Sequence, residues 1–430
     1  MTKRPRRDSS LRVRPAPLAL AVVAALGIPG PPQARAQDTE PLPDPLRLEQ
    51  VLQIARDRRA EIEAARARAR AAAERPAIVS ALEDPVISPS IDHLPFMFQG
   101  VDYSVSVEQR FPLSGVRGHR RESAEADSQR FRAETDRVAL DVELEAVTAF
   151  FMLQERRRIA DILLEQRRLS QQFVDAAVAR YSAGTGTQSD VLRAEIEVSR
   201  LDAALRSIGA EVRAAEAMLN AGLGRSADLP VPALESTALT EPPPSADVVR
   251  ETAFSRRPEL RAGEAEIGRS LAEVSVMKTM YSPMAMVRTG PSYTMTDGAG
   301  WMVMVGVSLP LWRGRLRAGV AEAEAMVDMA RADLEAMRRM VEGDAVAARE
   351  RALASREQYL ALRDEVVPRA RQAIDPTLAG YAAGELPLVS VIEAAQTLWS
   401  VEAELAAAEF GLGLTWARLQ RATGDRGLSP

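Results

Sequence analysis

From His119 to Ala183 the chain contains neither proline nor glycine. At ~1.5 Å per residue, a helix over that stretch would run roughly 100 Å. Ordinary globular helices rarely exceed about 25 residues, so a helix this long implies a coiled coil. Two apolar stripes follow it. Leu140, Leu144, Val147 and Phe151 form one, and Val138, Val142, Ala149 and Met152 run alongside. Two stripes mean neighbours on two sides, as in a closed ring of helices. Beyond the turn at Gly184, a returning helix carries Leu201, Leu205, Ile208, Val212, Ala215 and Leu219 at helical spacing.

This hairpin belongs to a unit written twice. Arg59-Ala60-Glu61-Ile62 recurs as Arg257-Pro258-Glu259-Leu260, and Phe111-Pro112-Leu113 recurs as Leu309-Pro310-Leu311, each 198 positions on. Tyr181-Ser182-Ala183-Gly184 recurs as Tyr381-Ala382-Ala383-Gly384, 200 positions on. Landmarks repeated in the same order indicate duplication. The first copy is placed at 37–229 and the second at 245–424, with a proline-rich joint at 230–244 and a short tail at 425–430. Each copy begins with a helix, Leu48 to Glu74 or Ala246 to Lys278. Strands follow at about 84–94 and 101–113, and at about 282–296 and 300–312. Long helices are expected at about 116–183 and 316–382, the second kinked at Pro368, and return helices at about 190–222 and 388–422.

The strands alternate. Val101, Tyr103, Val105, Val107 and Phe111 face one way, and Asp102, Ser104, Ser106, Glu108 and Arg110 the other. In the second copy Trp301, Val303, Val305, Val307 and Leu309 oppose Met302, Met304, Gly306 and Ser308. No run of 18 apolar residues follows the leader, so any membrane crossing has to be made by such strands. Ser106, on the water side, is expected to accept a charged replacement. Four strands cannot close a barrel alone, since the smallest membrane barrels have about eight.

Residues 1–36 read as a cleavable signal. Lys3, Arg4, Arg6, Arg7, Arg12 and Arg14 precede an apolar core from Leu18 to Ile28, and Ala34-Arg35-Ala36 fits the small-x-small rule. The mature chain is expected to begin near Gln37. The whole chain carries −5, and removal of this basic leader leaves an acidic protein, a poor match for nucleic acid. There is no cysteine, and the two histidines, His93 and His119, are too few for a histidine-built metal or catalytic centre. No phosphate loop, nucleophile elbow or metal signature is present. The expectation is therefore no enzyme, no cofactor and no resident metal. Met284, Met286, Met302 and Met304 lie on the inward strand face. Thioethers suit soft cations, and methionine also simply fills space between strands.

The duplicated strand and long-helix plan resembles the TolC-type family of outer-membrane efflux channels, with a similarity to its cation-efflux branch. The most specific stretches are Tyr181-x-x-Gly184 with Asp190-Val191-Leu192-x-Ala194, and Tyr381-x-x-Gly384 with Val391-Ile392-Glu393-Ala394-x-Gln396-x-Leu398. The resemblance implies a mainly helical fold with a membrane β-barrel portion. It implies a homotrimer whose barrel stands in outer-membrane lipid above a periplasmic helical tunnel. It also implies partners, an inner-membrane pump and a periplasmic adaptor. The family closes its periplasmic mouth with acids just after the second glycine turn. Glu393 matches one such position, Ser390 replaces the other, and Asp190 holds the equivalent place in the first copy. For Glu393 and Asp190 a solvated helix face or an N-cap is the competing reading. The turns carrying Tyr181, Gly184, Tyr381 and Gly384 cap helices and are the accessible place for an adaptor to grip. The alternative for the whole chain is a periplasmic coiled-coil adaptor or structural protein.

Overall fold

The computed structural model describes residues 41–92, 101–236 and 241–425. The signal at 1–36, His93 and the apex at 95–100 lie outside them. Within the first repeat, α1 (Leu48–Arg58) and α2 (Ala60–Ser80) lead to β1 (Val86–Asp92) and β2 (Asp102–Pro112). Then come α3 (Val116–Ser182) and α4 (Gln188–Gly222). In the second repeat, α5 (Ala246–Arg256) and α6 (Pro258–Thr279) lead to β3 (Met284–Thr294) and β4 (Gly298–Ser308). Helix α7 (Arg313–Ala361), a π turn (Leu362–Val366), α8 (Val367–Ala383) and α9 (Leu388–Thr423) complete it.

The leading helices, each expected as one piece, are both broken. Arg59 (φ −71°, ψ 123°) and Arg257 (φ −62°, ψ 121°) are extended residues between two helices. Pro258 disfavours a helical conformation at Arg257, but Ala60 imposes nothing comparable on Arg59. The shared cause is tertiary. Arg59 Nη1 reaches the carbonyls of Ala221 (3.5 Å) and Gly222 (3.4 Å) at the end of α4. Arg257 Nη1 reaches those of Arg421 (3.2 Å) and Ala422 (3.1 Å) at the end of α9. Each arginine supplies donors to helix-end carbonyls that have no intrahelical partner. Helix α2 also runs through Pro76 to Ser80, past the expected end at Glu74.

Helix α3 spans 67 residues without a break. The long helix expected at 316–382 is instead divided by the π turn. Pro368 has no N–H to donate and its ring crowds the preceding turn, so the ladder takes in an extra residue just before it. Gly343 leaves α7 uninterrupted.

Both stripes of α3 are covered within the protomer. Leu140 is buried, and Val142, Val147, Ala149 and Phe151 lie in the main core, which gathers α1, α5, α3, α7 and the root of α9. Phe150 and Phe151 stack edge to face at 5.4 Å. Gly413 lets α9 come close to Phe151, because a Cβ there would lie 2.5 Å from the Phe151 ring. The proline-rich joint is tied to the same waist, with Arg157 donating to the carbonyls of Pro232 (2.6 Å) and Val231 (2.8 Å).

The four strands form one antiparallel sheet in the order β1-β2-β3-β4. Tyr103, Val105 and Val107 share the face of Ile87, Ile91, Val287, Trp301, Val303 and Val305. All of these apolar side chains are exposed, Trp301 at 68%. Tyr103 stacks on Tyr293 at 5.1 Å, and the Trp301 indole donates to Thr289 Oγ1 at 2.7 Å. On the other face Glu108 is held by Arg110 and Arg288. The expectation that Ser106 accepts a charged replacement fails. Ser106 is 3% exposed and donates to the Ser88 carbonyl. Opposite it the β2–β3 register lapses at Gly290-Pro291. Pro291 has no N–H for the ladder, and Gly290 lets the strands pinch until a Cβ would sit 1.9 Å from the Val105 oxygen. A large side chain has no room there.

Two outcomes follow for this fold. Gly413→Ala should cost about 1–3 kcal/mol through overpacking against Phe151, read as a lower denaturation midpoint. Arg257→Met leaves two helix-end carbonyls without their donor, and each should cost about 1–3 kcal/mol. Its melting temperature should fall well below that of the exposed-site control Arg339→Met.

Candidate functional site

Two regions carry the chemistry, the exposed apolar strand face and the distal ends of the hairpins. At the distal end α3 stops at Ser182, and Gly184 takes φ +71°. Helix α8 stops in the same way at Gly384, with φ +81°. A side chain at either position is strained by the left-handed backbone even where space is free.

The two tyrosines of the repeated motif differ. Tyr181 is 50% exposed, whereas Tyr381 is 5% exposed and belongs to a core with Phe173, Ala194, Val391 and Trp399. The residue that joins the turns is Arg180. Its guanidinium lies over the Tyr381 ring at 4.9 Å and donates to the Tyr381 carbonyl at 2.6 Å. Burial pushes the Tyr381 phenol above its ordinary value, and Arg180 opposes that shift. Nothing in the sequence singled out Arg180, because its partner lies 201 positions away.

The three expected mouth residues lie within the first two turns of the return helices. Thr187 caps α4, its side chain accepting from the Asp190 N–H, while its hydroxyl donates to Asp190 Oδ2 at 2.7 Å. Asp190 is therefore the closing member of a capping box. Ser390 holds the same place in α9, three residues after Pro387, which has no capping side chain. Glu393 lies one turn further on and is exposed, and its carboxylate has no hydrogen bond or ion pair among the described residues. The repeat partner of Glu393 is Arg193, so the copies carry opposite charges at this level. Among the described residues no group of three or more His, Cys, Asp or Glu side chains could hold a metal ion.

Residues 249–425 match the family model described as outer membrane efflux protein. The match spans the second repeat, less than half of the chain. The chain is 25% identical over 288 residues to outer membrane efflux protein BepC of Brucella suis biovar 1 (strain 1330). That match covers 65% of this chain and 62% of BepC, so it spans less than two thirds of that relative's length. It is 24% identical over 295 residues to the cobalt-zinc-cadmium resistance protein CzcC of Cupriavidus metallidurans (strain ATCC 43123 / DSM 2839 / NBRC 102507 / CH34), covering 67% of this chain and 68% of CzcC. The outer-membrane channel OprN superposes with a TM-score of 0.75 at 21% identity, over 88% of this chain and 89% of that one. This likeness fixes the fold.

Thr187→Ala removes the N-cap and frees Asp190, and should destabilise the start of α4 by about 1 kcal/mol. Hydrogen exchange should speed up at residues 188–192 and stay unchanged at the Phe150–Phe151 core.

Proposed function

We infer that the chain is the outer-membrane duct of a tripartite export system, a conduit and not an enzyme. The observation that carries this reading is the sheet. Its apolar face is exposed across all four strands, and its two outer edges, β1 and β4, have no partner among the described residues. In hydrocarbon an open edge leaves backbone N–H and C=O groups without hydrogen bonds, at a cost of several kcal/mol each. Three copies, each setting β4 beside the β1 of its neighbour, close a twelve-stranded barrel and remove every edge. The hairpins then continue as a periplasmic tunnel. This homotrimer would stand on a periplasmic adaptor, fed by an inner-membrane pump. The turns at Tyr181–Gly184 and Tyr381–Gly384 are where the adaptor would grip. Similarity to CzcC supports metal cations as cargo.

At the mouth, three copies of Glu393 would converge on one axis. Carboxylates gathered there repel each other and attract cations. Asp190, engaged by Thr187, contributes less, and Ser390 brings no charge. Closure then rests on packing between helix ends, while Glu393 sets selectivity.

Three measurements test the proposal. The mature protein should be recovered from outer membranes as an SDS-resistant trimer, and a soluble periplasmic monomer would sink the proposal. Val303→Arg should lower trimer yield, since a lipid-facing charge at mid-depth costs about 2–4 kcal/mol, while Ser104→Arg on the opposite face should not. In single-channel recordings Glu393→Gln should reduce cation preference and weaken block by divalent cations without changing trimer yield. Unaltered selectivity would make Glu393 an ordinary solvated residue.

A further inference from the structure

The connections between strands and helices enclose a cavity of about 400 Å³ at the base of the sheet. Arg110, Arg117, Arg120 and Arg315 line it, with Glu83 as the acidic member of the lining and Trp312 as an aromatic wall. Arg110, Met284 and Ser308 come from the polar strand face, so the cavity lies on the side away from the apolar surface.

Two of these guanidinia are committed. Arg117 Nε donates to the Ser80 carbonyl at the end of α2 at 2.6 Å. Arg110 is paired with Glu108 at 3.2 Å. Arg120 and Arg315 are exposed and have no hydrogen bond or ion pair among the described residues.

The helices that start at the cavity strengthen the same field. Neither α3 nor α7 has an acid in its first turn, and neither N-cap residue supplies a capping side chain. Those turns hold Arg117 in α3, and Arg313 and Arg315 in α7. A helix N-terminus carries partial positive charge, and cations placed there are repelled by it. Arg117 and Arg315 stand 198 positions apart, the spacing of the repeat, so both copies place an arginine against the dipole. That arrangement is unfavourable when empty and becomes favourable when an anion joins it.

We propose that this cavity binds a phosphate-type oxyanion, gripped by Arg120 from one repeat and Arg315 from the other. A guanidinium pairs with two oxygens of such a group in parallel, with directionality that a lysine lacks. The exposed N–H groups of two helix starts add donors of the same sign. Trp312 gives the cavity an apolar wall, so free phosphate compounds and phospholipid headgroups share the recognised chemistry. The site is complete within one protomer and does not depend on the channel reading. In an assembled duct it would place positive charge where the barrel meets the tunnel.

The test uses the purified full-length protein in detergent at low ionic strength. Calorimetric titration with inorganic pyrophosphate should show binding that weakens at least tenfold in the double variant Arg120→Gln/Arg315→Gln. The corresponding double lysine variant should lose less, because charge is kept while the fork geometry is lost. Native mass spectrometry after exposure to phosphatidylglycerol separates the sources. Lipid retained by the wild type and lost from the glutamine variant assigns a headgroup. Pyrophosphate binding without lipid retention assigns a soluble anion. Either result supports the site. Equal pyrophosphate affinity in wild type and glutamine variant overturns it, as does failure of both probes to bind. Both arginines are exposed, and trimer recovery on SDS gels checks assembly. Should the double variant fail to assemble, Arg315→Gln alone is titrated, and an affinity equal to wild type again overturns the site. Loss of the channel reading would register as absent conductance, a measurement separate from binding.

Discussion

Two buried arginines set the geometry of the molecule. Arg59 and Arg257 sit at the roots of the two hairpins, each donating to the last carbonyls of a return helix. Each also pairs with the glutamate two positions on, Glu61 and Glu259 at 2.9 Å. Arg421 joins the second clasp, bonding Glu259 and Asp141. Burial pushes the Arg257 guanidinium below its ordinary value, and Glu259 opposes that shift. The clasp matters because the helices are levers. Helix α9 has 36 residues, roughly 54 Å of rise, so a small tilt at its root becomes a displacement of many ångströms at its tip. Gly224 and Gly424, both at positive φ, close the same joints, where an added Cβ would lie 3.1 Å from the Arg58 backbone and 3.0 Å from that of Arg256.

The sheet and the helices meet opposite solvent demands in one protomer. In the sheet the apolar face is turned outward and the polar face collects Glu108, Arg110 and Arg288 around one ion cluster. In the helical part the apolar residues turn inward to the waist, and charges cover the outside. The reversal occurs within a few residues, at Pro112 to Val116 and at Leu309 to Arg313, where the arginine-lined cavity lies. Within a membrane, strands with this face would need their open edges closed by further strands.

Duplication makes the copies similar in backbone and lets them differ in charge. Asp190 and Arg193 stand in one copy where Ser390 and Glu393 stand in the other. The turns differ likewise. Tyr181 is exposed, and Tyr381 is packed beneath Arg180 from the first copy. That cross-repeat contact joins the hairpins at the end farthest from the waist clasps.

Much of this was legible in the sequence because it is local. The absence of proline and glycine from 119 to 183 allows α3, alternation orients Val105 and Val303, and Gly184 and Gly384 mark the helix ends. The unbroken apolar stripes likewise bury Leu140 and place Phe151 in the core. What sequence alone could not decide depends on partners far along the chain. Arg59 looks like an ordinary helix residue until the end of α4 is brought within reach of its guanidinium. Ser106 reads as a water-facing strand residue until Gly290 lets the neighbouring strand close over it. Arg180 acquires a role only when Tyr381 folds beneath it. Periodicity and turn chemistry act over a few residues and are written in the order of the chain. Burial, close approach and ion pairing are set by distance in space, and only the folded chain assigns them.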